Sequence, residues 1–260
     1  MASLRELGLG VIAIANRKGG VGKTVSAISI GAGLAKLGQR VLLVDGDPQA
    51  NMSLFFAESG IGGRDFSSLL SDLAAGKKVS PDGYTRKRVR RGLDLLAAVD
   101  PKLRFRFPDE GLKALIKPLF DFFTSVRTKY NWVIIDTSPS HGPLERLLLS
   151  ASEALVVPLE FQRFSVAGLE TLVSDAAEFS REQGRTIRLH ALLFTKAENN
   201  LSRVDAYREV FSAFRVPVFE ICRSEYIPRG LERSRTIWES APRSYAARDY
   251  GRIIEKAFLE

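Results

Sequence analysis

The sequence predicts an α/β fold: a mostly parallel, twisted sheet of about seven or eight strands with helices on both faces. Short apolar runs recur along the 260 residues, and helical patterns separate most of them. The first run, residues 11–15, leads directly into a glycine-rich loop and a helical pattern. Strands that alternate with helices form parallel sheets through right-handed crossovers. The length and mixed composition favour one large domain, residues 1–260, over two small ones.

The composition narrows the expected partners and location. Lys and Arg total 38 against 30 Asp and Glu, and the net charge of +8 favours polyanionic partners, with nucleic acid first. The single cysteine, Cys222, cannot form an internal disulfide. No apolar stretch approaches the roughly 20 residues that span a bilayer, and the first residues lack the signal-peptide pattern. We therefore expect a cytoplasmic protein that does not bind membranes.

Residues 18–24 read Lys-Gly-Gly-Val-Gly-Lys-Thr, between the first strand and the first helix. Glycines let the backbone fold tightly around phosphate oxygens, and the positive end of the helix lies behind them. In such loops the lysine before the threonine reaches the β- and γ-phosphates, and the threonine hydroxyl binds Mg²⁺. The predicted ATP-contacting residues are Lys18, Gly19, Gly20, Val21, Gly22, Lys23, Thr24 and Val25. The alternatives are a chance turn or a dinucleotide site, but the G-x-G-x-x-G pattern of the latter is absent.

The helix after this loop is predicted from an apolar stripe that ends at Gly38. Its members are Ile28, Ile30, Leu34 and Leu37.

Two buried strands then end in carboxylates. Residues 41–45 end at Asp45 with Asp47 close behind, and residues 132–136 end at Asp136. The carboxyl ends of parallel strands form the ligand crevice, so these acids are expected beside the glycine-rich loop. For the first pair, the alternative is a loop whose acids cap the next helix.

The middle of the chain gives weaker patterns. Phe66, Leu69, Leu70 and Leu73 predict a short helix before Gly76. The cationic run at residues 86–91 is either a phosphate-contacting surface or a solvated loop or edge strand, and residues 93–98 follow as a strand. Residues 110–129 predict one helix that Pro118 kinks.

The rest of the chain continues the alternation. Strands are predicted at 155–159, 187–194 and 216–221, with a helix at 166–183. Residues 245–260 are helical in pattern, and their apolar members are expected to dock on the core: Tyr250, Ile253, Ile254, Ala257 and Phe258. His141 and His190 lack metal-ligand spacing and are expected to be structural.

The loop resembles the deviant phosphate-loop ATPases, the family of ParA/Soj partition proteins, MinD and the nitrogenase iron protein. The ordinary loop has glycine where this chain has Arg17, and a second lysine, Lys18, stands inside the loop. The Asp-x-Asp-Pro-Gln sequence at residues 45–49 resembles the ParA/Soj branch in particular. The likeness covers nearly the whole chain. It implies ATP and Mg²⁺ as cofactors.

The resemblance also implies roles for single residues. Lys18 crosses to the other subunit's phosphates, Asp47 positions the attacking water, Asp45 lies near Mg²⁺, and Asp136 is the Walker B carboxylate. Relatives mostly have the sequence Asp-x-Pro-Pro beginning at that carboxylate. In this chain Ser138 replaces the first proline.

Two further segments match nucleotide-binding parts of the family. Asn200 matches an asparagine that bonds the adenine edge, although it is equally readable as a helix cap. Pro228 lies in an Ile-Pro-Arg segment that closes over the base.

The implied function is slow ATP hydrolysis that controls a sandwich homodimer. The ATP-bound dimer binds DNA without sequence preference on the prokaryotic nucleoid, and a ParB-like partner stimulates hydrolysis to position a plasmid, a chromosome or another cargo. The candidate DNA-binding residues are Arg203, Arg229, Arg233 and Arg235. Glu198 and Glu232 stand where relatives carry arginines implicated in DNA contact, which complicates the assignment of DNA-binding residues in this chain.

The same family includes two other functions. A MinD-like, membrane-associated positioning ATPase would need a free, basic amphipathic C-terminal helix. An electron-transfer protein would need two cluster cysteines per subunit, and the single cysteine excludes it. The few residues before the first strand predict the short ParA form, without a helix-turn-helix domain.

Overall fold

The computed structural model describes residues 2–57, 64–98, 109–160, 165–197 and 210–260. Within these ranges eight strands form one sheet, in the spatial order β3-β4-β2-β5-β1-β6-β7-β8. All neighbours are parallel except β3 and β4, which are antiparallel. In chain order the strands are β1 (Val11–Ile14), β2 (Val41–Asp45), β3 (Thr85–Arg90), β4 (Leu93–Leu96), β5 (Trp132–Asp136), β6 (Ala154–Leu159), β7 (Arg188–Ala197) and β8 (Val218–Cys222). The predicted α/β class and mostly parallel sheet are confirmed.

Helices cover both faces of this sheet, as predicted. They are α1 (Lys23–Lys36), α2 (Asn51–Phe55), α3 (Phe66–Ala74), α4 (Asp109–Ala114), α5 (Ile116–Val126), α6 (Pro143–Ser150), α7 (Ser165–Gln183), α8 (Tyr226–Glu232), α9 (Ile237–Ser240) and α10 (Tyr245–Ile253). One core contains side chains of α3 to α7, and the other contains side chains of α1, α2, α9 and α10.

The central strands are buried on both sides. In β1, Val11 and Ala13 belong to one core, and Ile12 and Ile14 belong to the other. Successive side chains of a strand point to opposite faces, so a strand covered on both faces needs an unbroken apolar run. This requirement explains why the short apolar runs predicted the sheet correctly.

Helix α1 forms as predicted, except that one member of its stripe is exposed. Leu37 is 59% exposed, because the helix ends at Lys36 and Gly38 turns the chain with a φ of 80°. Gly33 has a packing role in the same helix. A Cβ there would lie 2.3 Å from Ile254 Cδ1 and 2.7 Å from Trp238 Cζ2, so glycine allows the C-terminal segment to pack closely on α1.

The prediction of one continuous helix at residues 110–129 is wrong in one respect. The structure has two helices, α4 and α5, with a turn at Leu115 between them. Pro118 lies at the third position of α5 and has no N–H for the carbonyl of Ala114. The proline therefore ends the first helix four residues earlier instead of kinking a continuous one.

The cationic run lies on the edge strand β3, which pairs with β4 across a register shift between Arg86 and Arg90.

The docked C-terminal helix is also confirmed, since all five predicted apolar members are buried. Its end is held by the chain's beginning, because the amides of Leu4 and Arg5 donate to the carbonyls of Ala257 and Phe258. Among the described residues, no helix has the length and apolarity that crossing a membrane requires.

Candidate nucleotide-binding site

The predicted site residues converge at the carboxyl ends of the central strands. Asp136 ends β5 and pairs in register with Ile14 of β1 on one side and Asp45 of β2 on the other. The glycine-rich loop runs from the end of β1 into α1. The sheet thus brings the loop and both strand-end carboxylates together, as the strand order of an open α/β sheet requires.

The loop adopts a conformation that suits a phosphate cradle. Gly20 has a φ of 76°, and Gly22, which caps α1, has a φ of 88°. Both values lie in the left-handed region that favours glycine, and alternation of this kind turns successive amides toward an anion. The Thr195 hydroxyl fixes the loop from outside by donating to the carbonyls of Val21, at 2.9 Å, and Leu159, at 3.1 Å.

Lys23 lies at the start of α1 with its ammonium group folded back over the loop. Its Nζ donates to the Lys18 carbonyl at 3.0 Å, and the residue is only 7% exposed. Burial lowers the pKa of Lys23, and the carboxylates of Asp136 and Asp47 oppose that shift. A lysine held this way places a positive charge inside the cradle, where the β- and γ-phosphates of a nucleotide would lie.

Asp136 has the environment that best fits a cation ligand. Its residue is fully buried, and neither carboxylate oxygen accepts a hydrogen bond among the described residues. Burial raises the pKa of Asp136 well above its usual range, and the neighbouring Thr24 hydroxyl opposes the rise without completing a hydrogen bond. A buried carboxylate without a partner is costly unless a cation binds it. The carboxylate and the Thr24 hydroxyl supply oxygen atoms of the kind that Mg²⁺ prefers.

Asp45 is more fully engaged than Asp136. Its Oδ2 accepts the amide and the hydroxyl of Ser53, both at 2.7 Å, and its Oδ1 accepts the amide of Asp47 at 3.3 Å. Burial raises its pKa, and the Ser53 bonds oppose this shift. Asp45 therefore positions the segment that carries Asp47, whose Oδ1 accepts the amide of Gln49 at 2.9 Å. Asp47 itself remains 6% exposed at the crevice.

Lys18 makes an ion pair within its own chain. Its Nζ lies 3.3 Å from Oε2 of Glu160, which follows β6, while its side chain is 41% exposed. Glu160 also pairs with Lys196, whose Nζ lies 2.6 Å from Oε1. The same Lys196 ammonium donates to the Gly20 carbonyl of the loop at 2.9 Å.

A mainly apolar cavity of about 270 Å³ adjoins the loop. Gly22, Val25, Thr195, Ile227, Pro228 and Tyr250 are among its lining residues. Val25 and Pro228, both predicted to contact the nucleotide, thus lie on one cavity that starts at the loop. Its apolar walls suit the face of a base. Asn200, the other predicted base contact, lies outside the described residues.

Several residues that hold the loop were not found from the sequence. Asn16 donates to the Pro158 carbonyl at 2.7 Å and accepts the Lys18 amide at 2.8 Å. Thr195, Glu160 and Lys196 have the bonds described above. Thr195, Glu160 and Lys196 come from the ends of β6 and β7, and no sequence motif marks them. Their only signal was position at the carboxyl end of a predicted strand.

Three of the four candidate DNA-binding arginines lie within the described residues. Arg229, Arg233 and Arg235 are all exposed, and Arg229 pairs with Glu225 at 3.0 Å. Glu232, one of the two departures from the family pattern, is exposed beside Arg233. Arg203 and Glu198 lie outside the described residues.

The histidines do not form a metal site. His141 is exposed, and His190 is buried with its Nε2 2.9 Å from the Ala257 carbonyl oxygen. The described part of the chain has no group of three or more His, Cys, Asp or Glu that could hold a metal. Mg²⁺ in nucleotide sites commonly has only one or two protein carboxylates, with phosphates and water completing its shell.

Comparison with known proteins agrees with this geometry. The chain matches the AAA domain family over residues 9–189. It is 31% identical over 257 residues to the chromosome-partitioning ATPase Soj of Thermus thermophilus, with 94% of each chain covered. It is 30% identical over 249 residues to the sporulation initiation inhibitor protein Soj of Bacillus subtilis, covering 92% of this chain and 94% of the relative. A solved complex of a Cyanothece McdA variant with ATP has a similar fold, with a TM-score of 0.79 at 19% identity and coverage of 95% and 96%.

Proposed function

We propose a function for this chain, which belongs to the Soj/ParA family of partition ATPases. It hydrolyses ATP slowly and uses the ATP-bound state to form a dimer that binds DNA. The observation that carries the nucleotide part is the buried, unpartnered carboxylate of Asp136 beside Thr24 and the loop. A bound Mg²⁺ would neutralise charge on the phosphates and on this carboxylate.

Residues of this chain bind the phosphates and the base, orient the attacking water and would hold the metal. Lys23 and the loop amides bind the phosphates, and Val25 and Pro228 line the cavity for the base. Asp47, held by Asp45 at the crevice, orients the attacking water. Asp136 and Thr24 would hold the metal, with Asp45 behind them.

Lys18 has the role that requires a second subunit. Its charge is proposed to reach the partner's phosphates and stabilise the negative charge that develops during hydrolysis. To do so, its ammonium group has to leave Glu160. Lys196 remains paired with Glu160 at 2.6 Å, so the departure of Lys18 does not leave that carboxylate without a cation.

The DNA part is supported by charge. The net charge is +8, and Arg229, Arg233 and Arg235 lie exposed on or just after α8. Arginine pairs well with phosphate oxygens, and such contacts carry no sequence information. A ParB-like partner that stimulates hydrolysis would then release the dimer from DNA and allow a plasmid, chromosome or other cargo to be positioned.

The membrane-associated alternative has less support. A MinD-like mechanism needs an apolar helix face that can leave the protein, whereas the apolar face of α10 and its continuation is buried in the core. Co-sedimentation with anionic liposomes in the presence of ATP tests that alternative directly.

The central experiment is light scattering with nucleotide titration. The unmodified protein with ATP and Mg²⁺ should double in mass and return to a monomer as ATP is consumed. Lys23→Ala should weaken nucleotide binding itself, whereas Arg181→Ala, at an exposed position on α7, is the matched control and should bind normally. An ATP-saturated protein that stays monomeric at all concentrations would contradict the proposed dimer.

A further inference from the structure

We propose that the edge strand β3 and the turn that follows it supply half of a surface that binds the phosphates of duplex DNA, with Arg233 and Arg235 supplying the other half. We call the four residues Arg88, Arg91, Arg233 and Arg235 the arginine patch. This inference rests on the proposed function, because it assigns further residues to DNA binding. It brings in the cationic run of residues 86–91, which the nucleotide site does not use.

Arg90 joins the two halves of the patch. Its Nη2 donates to the Ser234 carbonyl at 2.6 Å, and its Nε donates to Oε1 of Glu239 at 2.7 Å. The guanidinium also lies 5.5 Å from the centre of the Phe56 ring. Ser234 stands between Arg233 and Arg235, and Arg90 stands next to Arg91. Two basic segments far apart in the sequence are therefore held side by side.

The patch keeps its positive charge. Glu239 balances Arg90, but the other four arginines are exposed and form no ion pair among the described residues. Asp94 accepts the backbone amide of Arg88 at 2.6 Å, and Glu232 is the exposed acid next to Arg233. Two carboxylates near four guanidinium groups leave a net positive surface.

The chemistry of this surface favours DNA phosphates over a lipid surface. Guanidinium groups form paired hydrogen bonds with phosphate oxygens, and a row of them along a strand edge can follow a phosphodiester backbone. Membrane binding also needs apolar side chains to insert. Strand β3 has none available, because Val89 is buried. The simpler interpretation is that charges on an edge strand only prevent pairing with another chain.

Fluorescence anisotropy with a labelled 30-base-pair duplex of arbitrary sequence separates these interpretations. The full chain is titrated with ATP and Mg²⁺ across a salt series, and Arg88→Gln with Arg91→Gln is compared with the unmodified protein. The matched control is Arg181→Gln with Arg188→Gln, which removes two exposed charges elsewhere. Each lost phosphate contact lowers the slope of log K against log salt by about 0.9. For each subunit of the dimer whose patch contacts the duplex, the β3 variant should therefore lose about two in slope and on the order of 50-fold in affinity at 0.1 M salt.

The control should keep its slope, and both variants should keep the melting temperature and the ATP-driven dimer. An unchanged slope in the β3 variant, with a lowered slope in Arg233→Gln with Arg235→Gln, would overturn this inference and leave the proposed function standing. Equal losses in the β3 variant and its control would also overturn it, because net charge alone would then explain binding. If the unmodified ATP-bound protein ignored the duplex at low salt, the proposed function itself would fail. Binding to phosphatidylserine vesicles in place of the duplex would overturn both.

Discussion

The ammonium group of Lys18 lies 3.3 Å from Oε2 of Glu160 in the same chain. In the proposed dimer, Lys18 would therefore start from an intramolecular ion pair, and contact with the partner's phosphates would have to replace that pair. The pair is partly exposed, so the replacement costs little, since exposed ion pairs contribute about 0.2–1 kcal/mol.

We expect Lys18→Ala to reduce hydrolysis by about 10²–10³-fold, because it removes a charge that acts on the transition state. Nucleotide binding should change little, since Lys23 and the loop glycines remain. Steady-state phosphate release with a parallel nucleotide titration measures the two effects. Arg181→Ala, which removes an exposed charge on α7 away from the loop, is the control. Normal turnover of the Lys18 variant would contradict the proposed cross-subunit role.

Glu160→Gln should favour the ATP-bound dimer, because it frees Lys18 from its intramolecular partner. The gain should be about two- to fivefold per subunit, the equivalent of an exposed ion pair. Sedimentation velocity at several protein concentrations measures the dimerisation constant. Lys196→Met leaves the Lys18–Glu160 pair in place and should not reproduce the gain. Dimerisation that weakens in Glu160→Gln would show that the ion pair supports the dimer.

Asp47→Ala should give a dimer that keeps its ATP. Loss of a residue that orients the attacking water slows the chemical step by about 10²–10⁴-fold, while the phosphate cradle remains intact. Single-turnover hydrolysis and light scattering on the same sample measure the two properties. Asp121→Ala, which removes an exposed carboxylate on α5, is a control for general loss of a carboxylate. Unchanged turnover in Asp47→Ala would rule out the water-positioning role.

The sequence predicted the parts of this molecule that local patterns determine. Apolar runs located the central strands, and strand-end acids located Asp45 and Asp136 beside the glycine-rich loop. These predictions succeeded because the carboxyl ends of parallel strands necessarily meet at one edge. The exposure of Leu37 and the break at Leu115 were not predicted, since helix ends depend on single capping residues and prolines.

Contacts between distant segments could not be predicted in the same way. Glu160 and Lys196 reach the loop because β6 lies next to β1 and β7 lies next to β6, and strand order is not visible in one sequence. Arg90 meets Ser234 for a similar reason. Such pairs have no spacing rule, and they are where the structure adds most to the candidate site.

Arg17, which replaces the usual loop glycine, is held by two carboxylates from the helices behind it. It forms an ion pair with Asp175 of α7, and its Nε lies 3.9 Å from Oε2 of Glu145 on α6. The other oxygen of Glu145 has no hydrogen-bond partner among the described residues. Burial raises the pKa of Glu145 to about 7, although Arg17 and Lys23 oppose the rise.

This raised pKa predicts a pH-dependent stability. The folded state holds the proton of Glu145 more tightly than the unfolded chain, whose pKa is about 4.5, so the contribution is fully present below pH 4.5 and is lost as pH rises through 7. The loss is at most about 3 kcal/mol, because one pKa unit corresponds to about 1.4 kcal/mol. Glu145→Gln stays neutral and should therefore stabilise the protein at pH 8 but not at pH 4. Urea unfolding at the two pH values measures the difference, with the exposed Glu178→Gln as the matched control. An equal change in unfolding free energy at both pH values would show that Glu145 has the same pKa in the folded and the unfolded protein, and would contradict the raised pKa.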